Sequence, residues 1–300
     1  MQDTMTTLLC FGFGYCARHF VRTFGARFDH TIGTVRTAEK AERINAQHSV
    51  QALVFDGTAR PELVDAIANC DAVLASTPPT DNGDPVLAVF VDALASAPKL
   101  KSVVYLSTVG VYGNHDGAWI DEATVPNPTT TRGRARLVAE TAWQGLFAGT
   151  GKSVAVLRLA GIYGPGRNAL AQVANGTAKR IVKPGQVFSR IHVADIASVI
   201  DSAFAHRANG IFNVSDDEPA APQEVISFAA GLLERPAPPE VPFTQAIKDL
   251  SPMALSFYSE CRRVRNDRIK RELGVSLRFP TYRDGLRALA AGGNNRDGDL

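Results

Sequence analysis

Thr6-Thr7-Leu8-Leu9-Cys10-Phe11-Gly12-Phe13-Gly14-Tyr15-Cys16-Ala17 is the stretch whose reading decides the fold. Residues 6–11 form an apolar run of strand length, and the pattern over Tyr15–Phe24 is helical. The turn between them carries two glycines and a small third residue, spaced as in a dinucleotide-binding loop. Gly12 permits the tight turn, Gly14 lets a pyrophosphate approach the backbone, and Ala17 allows close helix–strand packing. Phosphates would then face free N–H groups at the positive end of a helix. Phe13 and Tyr15 lie in the same turn and are taken with it as cofactor-binding residues. A lone loop of this type is weak evidence; the strand–turn–helix setting is what gives it weight.

Working outward, the first half alternates short apolar runs with helical patterns. Strands are expected at residues 31–35, 50–55, Ala72–Ala75, 102–106 and Ser153–Leu159. Helices are expected over Ala38–Gln47, 61–67, 85–95 and 134–147. Continuous apolar strands alternating with helices predict an α/β fold of Rossmann type, a doubly wound parallel sheet covered on both faces. After Leu159 the pattern loosens through Gly161, Gly164, Pro165 and Gly166. A helix over Val193–Ala205 and a short strand at 211–214 follow, then prolines at 236, 238, 239 and 242. The expected division is a nucleotide-binding domain over 1–160, a smaller mixed α/β substrate lobe over 161–290 whose segments interleave with the first, and a disordered tail at 291–300.

Composition excludes several function classes. A net charge of +2 over 300 residues gives no electrostatic case for nucleic acid or an anionic membrane. No apolar run approaches the roughly 20 residues needed to span a bilayer. Met1-Gln2-Asp3-Thr4 carries an acid and no basic stretch, which argues against a secretory signal. Cys10, Cys16, Cys70 and Cys261 have no metal-ligand or CxxC spacing, so reduced thiols, a cytoplasmic location and no metal site are expected.

The ends of the expected strands suggest how a dinucleotide would be chosen. Arg36 follows the second strand, where an acid would hold a ribose 2′-hydroxyl and an Arg instead pairs with a 2′-phosphate. With Lys40 close by, NADP is favoured over NAD. Asp56 closes the third strand as an acceptor for an adenine amino group. Ser76 and Thr77 close the fourth, on the ribose and nicotinamide side of the cleft.

Taken together, the chain resembles the extended short-chain dehydrogenases/reductases of the NAD-dependent epimerase/dehydratase family. The resemblance rests on the glycine loop, on Leu106-Ser107-Thr108-Val109-Gly110-Val111-Tyr112-Gly113, on Leu157-Arg158-Leu159-Ala160-Gly161-Ile162-Tyr163-Gly164-Pro165-Gly166-Arg167, and on Arg190-Ile191-His192-Val193-Ala194-Asp195-Ile196. It implies that Ser107 and Ile162 adjoin the cofactor and that Thr108 touches the reacting oxygen of a carbonyl or alcohol. It also implies that Arg167 and Arg190 bind a small-molecule substrate, that Tyr112 packs near the cofactor edge, and that a homodimer forms through the helices at 85–95 and 134–147; Tyr112 is nonetheless taken as a substrate-side residue, since its phenol could replace the missing acid.

One segment departs from the family. In Thr130-Thr131-Arg132-Gly133-Arg134-Ala135-Arg136-Leu137-Val138-Ala139-Glu140 the family's Tyr position holds Arg132 and its Lys position, four residues on, holds Arg136. A guanidinium stays protonated and cannot cycle a proton as a phenol does. Arg136 can still hold ribose hydroxyls, and Arg132 can stabilise an oxyanion. Two cations on one helix face favour an anionic substrate. The leading expectation is therefore an NADP-preferring oxidoreductase or epimerase-like enzyme of atypical mechanism, with Thr108, Arg132 and Arg136 at its chemistry. The alternative is an NADP(H)-binding sensor or regulator without turnover.

Overall fold

The computed structural model describes residues 6–47 and 50–292; the expected tail from 293 onward lies outside the described residues. The chain runs β1 (Thr7–Phe11), α1 (Tyr15–Phe24), β2 (His30–Val35), α2 (Ala38–Gln47), β3 (Val50–Val54), α3 (Pro61–Asn69), β4 (Ala72–Ala75), α4 (Pro85–Ser96), β5 (Ser102–Thr108), β6 (Trp119–Ile120), α5 (Thr131–Leu146) and β7 (Ser153–Leu159). It continues through β8 (Gly161–Tyr163), α6 (Ala169–Ala174), β9 (Arg180–Val182), β10 (Arg190–His192), α7 (Val193–Ala205), β11 (Gly210–Val214) and α8 (Pro222–Leu232). The last elements are β12 (Glu240–Pro242), α9 (Phe243–Ala246), α10 (Pro252–Tyr258), β13 (Arg263–Val264), α11 (Asp267–Leu273) and α12 (Tyr282–Ala291).

Seven strands form one parallel sheet in the order β11-β7-β5-β4-β1-β2-β3. Strand order reverses direction between β1 and β4, and that switch point opens a crevice at the carboxyl ends of the strands. β11 comes from well beyond residue 160 and still completes the sheet beside β7. Side-chain alternation along β1 explains why the sheet is covered twice. Leu8 and Cys10 enter one apolar core with α1, α2 and α7. Leu9 and Phe11 enter the other with α3, α4 and α5. A third cluster, built from α6, α8 and α12, holds the C-terminal side together through Leu170, Val225, Ile226, Tyr282 and Leu286.

Two boundaries differ from the sequence expectation, and both bear on the site. β5 runs to Thr108 because Ser107 and Thr108 stay in register with Arg158 and Leu159 of β7. α5 begins at Thr131, not at 134, because the Thr130 hydroxyl accepts from the Gly133 N–H at 3.0 Å and caps the helix three residues earlier. Arg132 therefore stands in the first turn of α5. Gly133 makes that placement possible. A Cβ there would lie 2.9 Å from Pro128 Cβ and 3.0 Å from the Gly110 carbonyl oxygen, so the helix start packs flush on the turn that follows β5.

A buried histidine ties α7 to the segments around Tyr163 and Phe279. His192 Nδ1 accepts from the Ala194 N–H at 3.1 Å and caps α7. Its ring packs edge-on against Tyr163 at 5.1 Å and beside Phe279 at 4.3 Å. Burial, reinforced by the charges of His19 and Arg278, pushes its pKa down to about 3. The folded-state value lies below the unfolded one near 6.5, so the unfolded chain takes up the proton first. This contribution is complete above pH 6.5 and is lost as pH falls toward 3, with a slope of about one proton. His192→Asn keeps a capping acceptor and removes the titration. Urea unfolding at pH 7.5 and 4.5 is expected to show a smaller acid loss in the variant than in the parent chain; equal losses would exclude His192 as the source.

Candidate functional site

A cavity of about 1700 Å³ lies along the carboxyl edge of the sheet, lined by residues that follow β1 to β5 and β7. Gly12, after β1, has φ +86°, a conformation natural to glycine. Its N–H donates to Thr34 Oγ1 at 2.8 Å, and its carbonyl oxygen accepts from Ser76 Oγ at 2.5 Å. The ring of Phe13 turns inward onto Gly33, whose Cβ would meet Phe13 Cγ at 2.7 Å; Phe13 offers the cavity its backbone. Gly14 is the N-cap of α1, with no side chain covering the helix end. Tyr15 reaches across to the 164–167 loop, its hydroxyl donating to Pro165 O at 3.0 Å. Beside Gly12, Thr77 Oγ1 is buried without a hydrogen-bond partner. An uncovered helix N-terminus, a glycine turn and an unused hydroxyl fit a dinucleotide pyrophosphate.

One end of the cavity is basic. Arg36 is exposed at the end of β2, and Lys40 sits one turn into α2. Burial lowers the pKa of Lys40, and the charges of Arg18, Arg43 and Arg36 lower it further, so four cations crowd one corner. Asp56 also lines this end. Its carboxylate accepts from Thr58 Oγ1 at 2.6 Å and from Arg60 at 2.8 Å. The Thr58 hydrogen bond, followed by that from Arg60, holds it well below the usual carboxylate range.

The far end gathers Ser107, Thr108, Arg132, Arg136, Ile162 and Arg167. Thr108 Oγ1 accepts from the Gly110 N–H at 3.1 Å, which leaves its own hydrogen to donate. Ser107 Oγ donates to Glu140, and Glu140 pairs with Arg158 at 2.7 Å, both side chains being buried. Arg136 is only 7% exposed. Its Nη1 donates to Tyr105 Oη at 3.0 Å and to Leu106 O at 2.8 Å, which fixes the guanidinium beneath the end of β5. The pKa of Arg132 is lowered by burial and then by the charges of Arg136 and Arg167. Arg134, on the same helix, turns away and donates to Thr129 O and Thr131 Oγ1.

With this geometry in view, comparison with known proteins is informative. Residues 12–215 match the NAD dependent epimerase/dehydratase family. The chain belongs to that family. A functionally unknown conserved protein from Silicibacter pomeroyi DSS is 49% identical, with a TM-score of 0.86 over 96% of this chain and 99% of that one. The dTDP-glucose 4,6-dehydratase of Bacillus anthracis str. Ames, solved in complex with NAD, shares the fold at 16% identity, with a TM-score of 0.75 over 95% of this chain and 96% of that one. The 3-diazoavenalumate denitrifying reductase of Streptomyces sp is 31% identical over 159 residues, 50% of this chain and 51% of that protein. The chain thus spans about half the length of the curated relatives it matches.

Within this family fold, one expected site residue does not reach the cavity. Tyr112 is a correction: it is fully buried, its hydroxyl donates to Asn213 Oδ1 at 2.8 Å, and Arg158 stacks on its ring. It packs beneath the site and does not face a substrate. His115 turns its Nε2 to Tyr112 O and stays off the cavity wall. Arg190 does line the cavity, but its Nη1 is committed to Phe188 O and Ala220 O at 2.8 and 3.1 Å. Burial raises the Cys16 thiol to about 11, which removes it as a thiolate nucleophile. Of the tyrosines that line the cavity, Tyr282 keeps a buried hydroxyl without a partner, while Tyr15 donates to Pro165 O. Tyr105 is engaged by Arg136, and Tyr163 donates to Thr281 O.

Sequence reading missed an apolar stretch of the lining, where Val187, Phe188, Val225, Ile226, Met253 and Phe257 face the cavity. Met253 and Phe257 share a face of α10 yet are 63% and 55% exposed, unusual for large apolar side chains. Their spacing was visible in the sequence; that they overhang the cleft was not.

Proposed function

We propose that the protein is an NADP-preferring oxidoreductase or epimerase-like enzyme whose chemistry runs without a phenol–lysine proton relay. One observation carries the reading: a single cavity runs from the basic corner at Arg36 and Lys40, past the glycine turn, to Thr108, Arg132 and Arg136. Gly12, Gly14, Ser76 and Thr77 would hold the pyrophosphate, and Arg36 with Lys40 the 2′-phosphate. When bound, the dinucleotide supplies or accepts a hydride.

The chain's own residues then orient and stabilise. Arg136 keeps its Nε and Nη2 for ribose hydroxyls, while Nη1 anchors it to β5. Thr108 donates its hydrogen to a substrate oxygen. Arg132 stabilises negative charge building on that oxygen and leaves proton delivery to water. The homodimer expected through α4 and α5 belongs to the same reading, supported by exposed Val91 and Val138 on those helices.

Titration with NADPH and NADH, followed by nicotinamide fluorescence, tests the reading. NADPH is expected to bind at least about tenfold more tightly, and Arg36→Ala to erase the difference. Equal binding of the two, or a preference that survives Arg36→Ala, would remove the NADP assignment. Transfer of label from stereospecifically deuterated NADPH to a carbonyl acceptor is then expected. Tight NADPH binding with no transfer across a broad carbonyl and nucleotide-sugar panel would favour the sensor reading.

A further inference from the structure

The substrate end of the cavity combines two features that specify a ligand between them. The first is uncompensated positive charge. Arg132 and Arg136 come from one face of α5, and Arg167 comes from the loop after β8 that Tyr15 braces through Pro165. The three are close enough that Arg136 and Arg167 both depress the Arg132 pKa. Among the described residues no carboxylate pairs with any of them. The two acids on the cavity wall are committed elsewhere: Asp56 to Arg60 at 2.8 Å, and Glu260 to Arg262 at 2.7 Å. Three guanidiniums converging without a counter-charge repel one another, and the fold holds them there regardless. An oxyanion between them relieves that repulsion and accepts paired N–H donors.

The second feature is an apolar stretch of the same cavity lining. Val225 and Ile226 are buried in the α8 face, Phe188 and Val187 line the approach, and Met253 and Phe257 overhang from α10. Sugar hydroxyls set against Val225, Ile226, Met253 or Phe257 would lose water and find no partner on those side chains, although Ser189, Ser256 and Tyr282 line the same cavity. An apolar body gains from the same contact.

Resting on the reading above, we propose that the substrate is an amphipathic oxyanion, an apolar body carrying a carboxylate or phosphate head. The head is seated by Arg132 and Arg167, with the charge of Arg136 behind them. The body lies against the wall formed by Phe188, Val225, Ile226, Met253 and Phe257. Arg132 and Arg167 thus act first as a specificity device, selecting the charged end of the ligand and fixing its position beside Thr108.

Calorimetric binding to the purified protein, with and without saturating NADPH, tests this with four probes: 4-phenylbutyrate, phenyl phosphate, neutral 4-phenyl-1-butanol and UDP-glucose. At least one of the two acids is expected to bind at least about tenfold more tightly than the alcohol, and the tighter acid identifies the head. Arg132→Gln and Arg167→Gln are each expected to erase that discrimination. Arg134→Gln, on the same helix but off the cavity, is expected to keep it. Phe257→Ser is expected to weaken the acid severalfold. The proposal is overturned if neither acid binds, if the alcohol binds as well as the acids, if discrimination survives loss of both arginines, or if UDP-glucose binds more tightly than both acids and Phe257→Ser leaves them unaffected. Arginine-dependent acid binding in a protein that binds no NADPH would sink the dinucleotide reading and leave this one standing.

Discussion

Replacing Glu140 with Ala is expected to destabilise the protein by about 3–5 kcal/mol, because it strands a buried guanidinium. Glu140 and Arg158 are 1% and 2% exposed, and the carboxylate accepts from Arg158 through both Nε and Nη2. Arg158 Nη1 is already buried without a partner, and among the described residues only the Tyr112 ring and hydroxyl lie against the guanidinium when the carboxylate is gone. Removing both charges should be far milder, since an apolar pair of similar volume needs no compensation. Chemical unfolding of Glu140→Ala, Arg158→Met and a Glu140→Leu/Arg158→Met double variant makes the comparison. A double variant as unstable as the worse single one would show that packing, not charge, is what the pair supplies. Ser107 donates to the same carboxylate, so the single variant is also expected to loosen the end of β5 on which Thr108 stands.

Gly12→Ala is expected to weaken NADPH binding by about a hundredfold or more while the chain still folds. The residue sits at φ +86°, and an added Cβ would lie 3.0 Å from Ser76 Oγ, Thr77 N and Thr77 Oγ1. Left-handed backbone costs a non-glycine residue roughly 1–2 kcal/mol, which a domain of this size can survive. The binding loss is larger because the methyl group forces apart the two strand ends between which the pyrophosphate would lie. Gly14→Ala makes the contrast. Its Cβ would find nothing nearer than 3.9 Å, and its φ of −98° suits any residue. Gly14→Ala is therefore expected to leave the protein unstrained and to lose NADPH binding only by blocking the pyrophosphate's approach; fluorescence titration showing undiminished binding would mean that the phosphates do not approach the backbone at Gly14.

Much of the fold was readable because the signals that encode it are short-ranged. The glycine turn, the apolar strands and the 3.6-residue helical repeats each lie within a dozen residues, and they were sufficient for a doubly wound parallel sheet. The start of α5 was misread for an equally local reason. Thr129, Thr130 and Thr131 are all able to cap a helix, and only the Gly133 N–H pointing at Thr130 Oγ1 decides among them. Tyr112 was misplaced because a motif fixes a position along the chain and not the direction of a side chain. In the folded protein it points to Asn213, 101 residues away.

The candidate site divides along the same line. The sequence by itself set Arg132 and Arg136 four residues apart; that both stand on α5, and so on one face, was decided by the Thr130 cap. The sequence also determined the turn at Gly12 and the positive end of α1, since both follow from the backbone freedom of glycine and the helix dipole. Only the tertiary structure decided that Arg167 joins the other two, that both cavity acids are spent on other arginines, and that α10 brings Met253 and Phe257 over the cleft. Those facts depend on where separate elements come to rest. That is set by the packing of the cores on the two faces of the sheet and by β11 closing beside β7, through contacts between residues far apart in the chain, which no local pattern encodes.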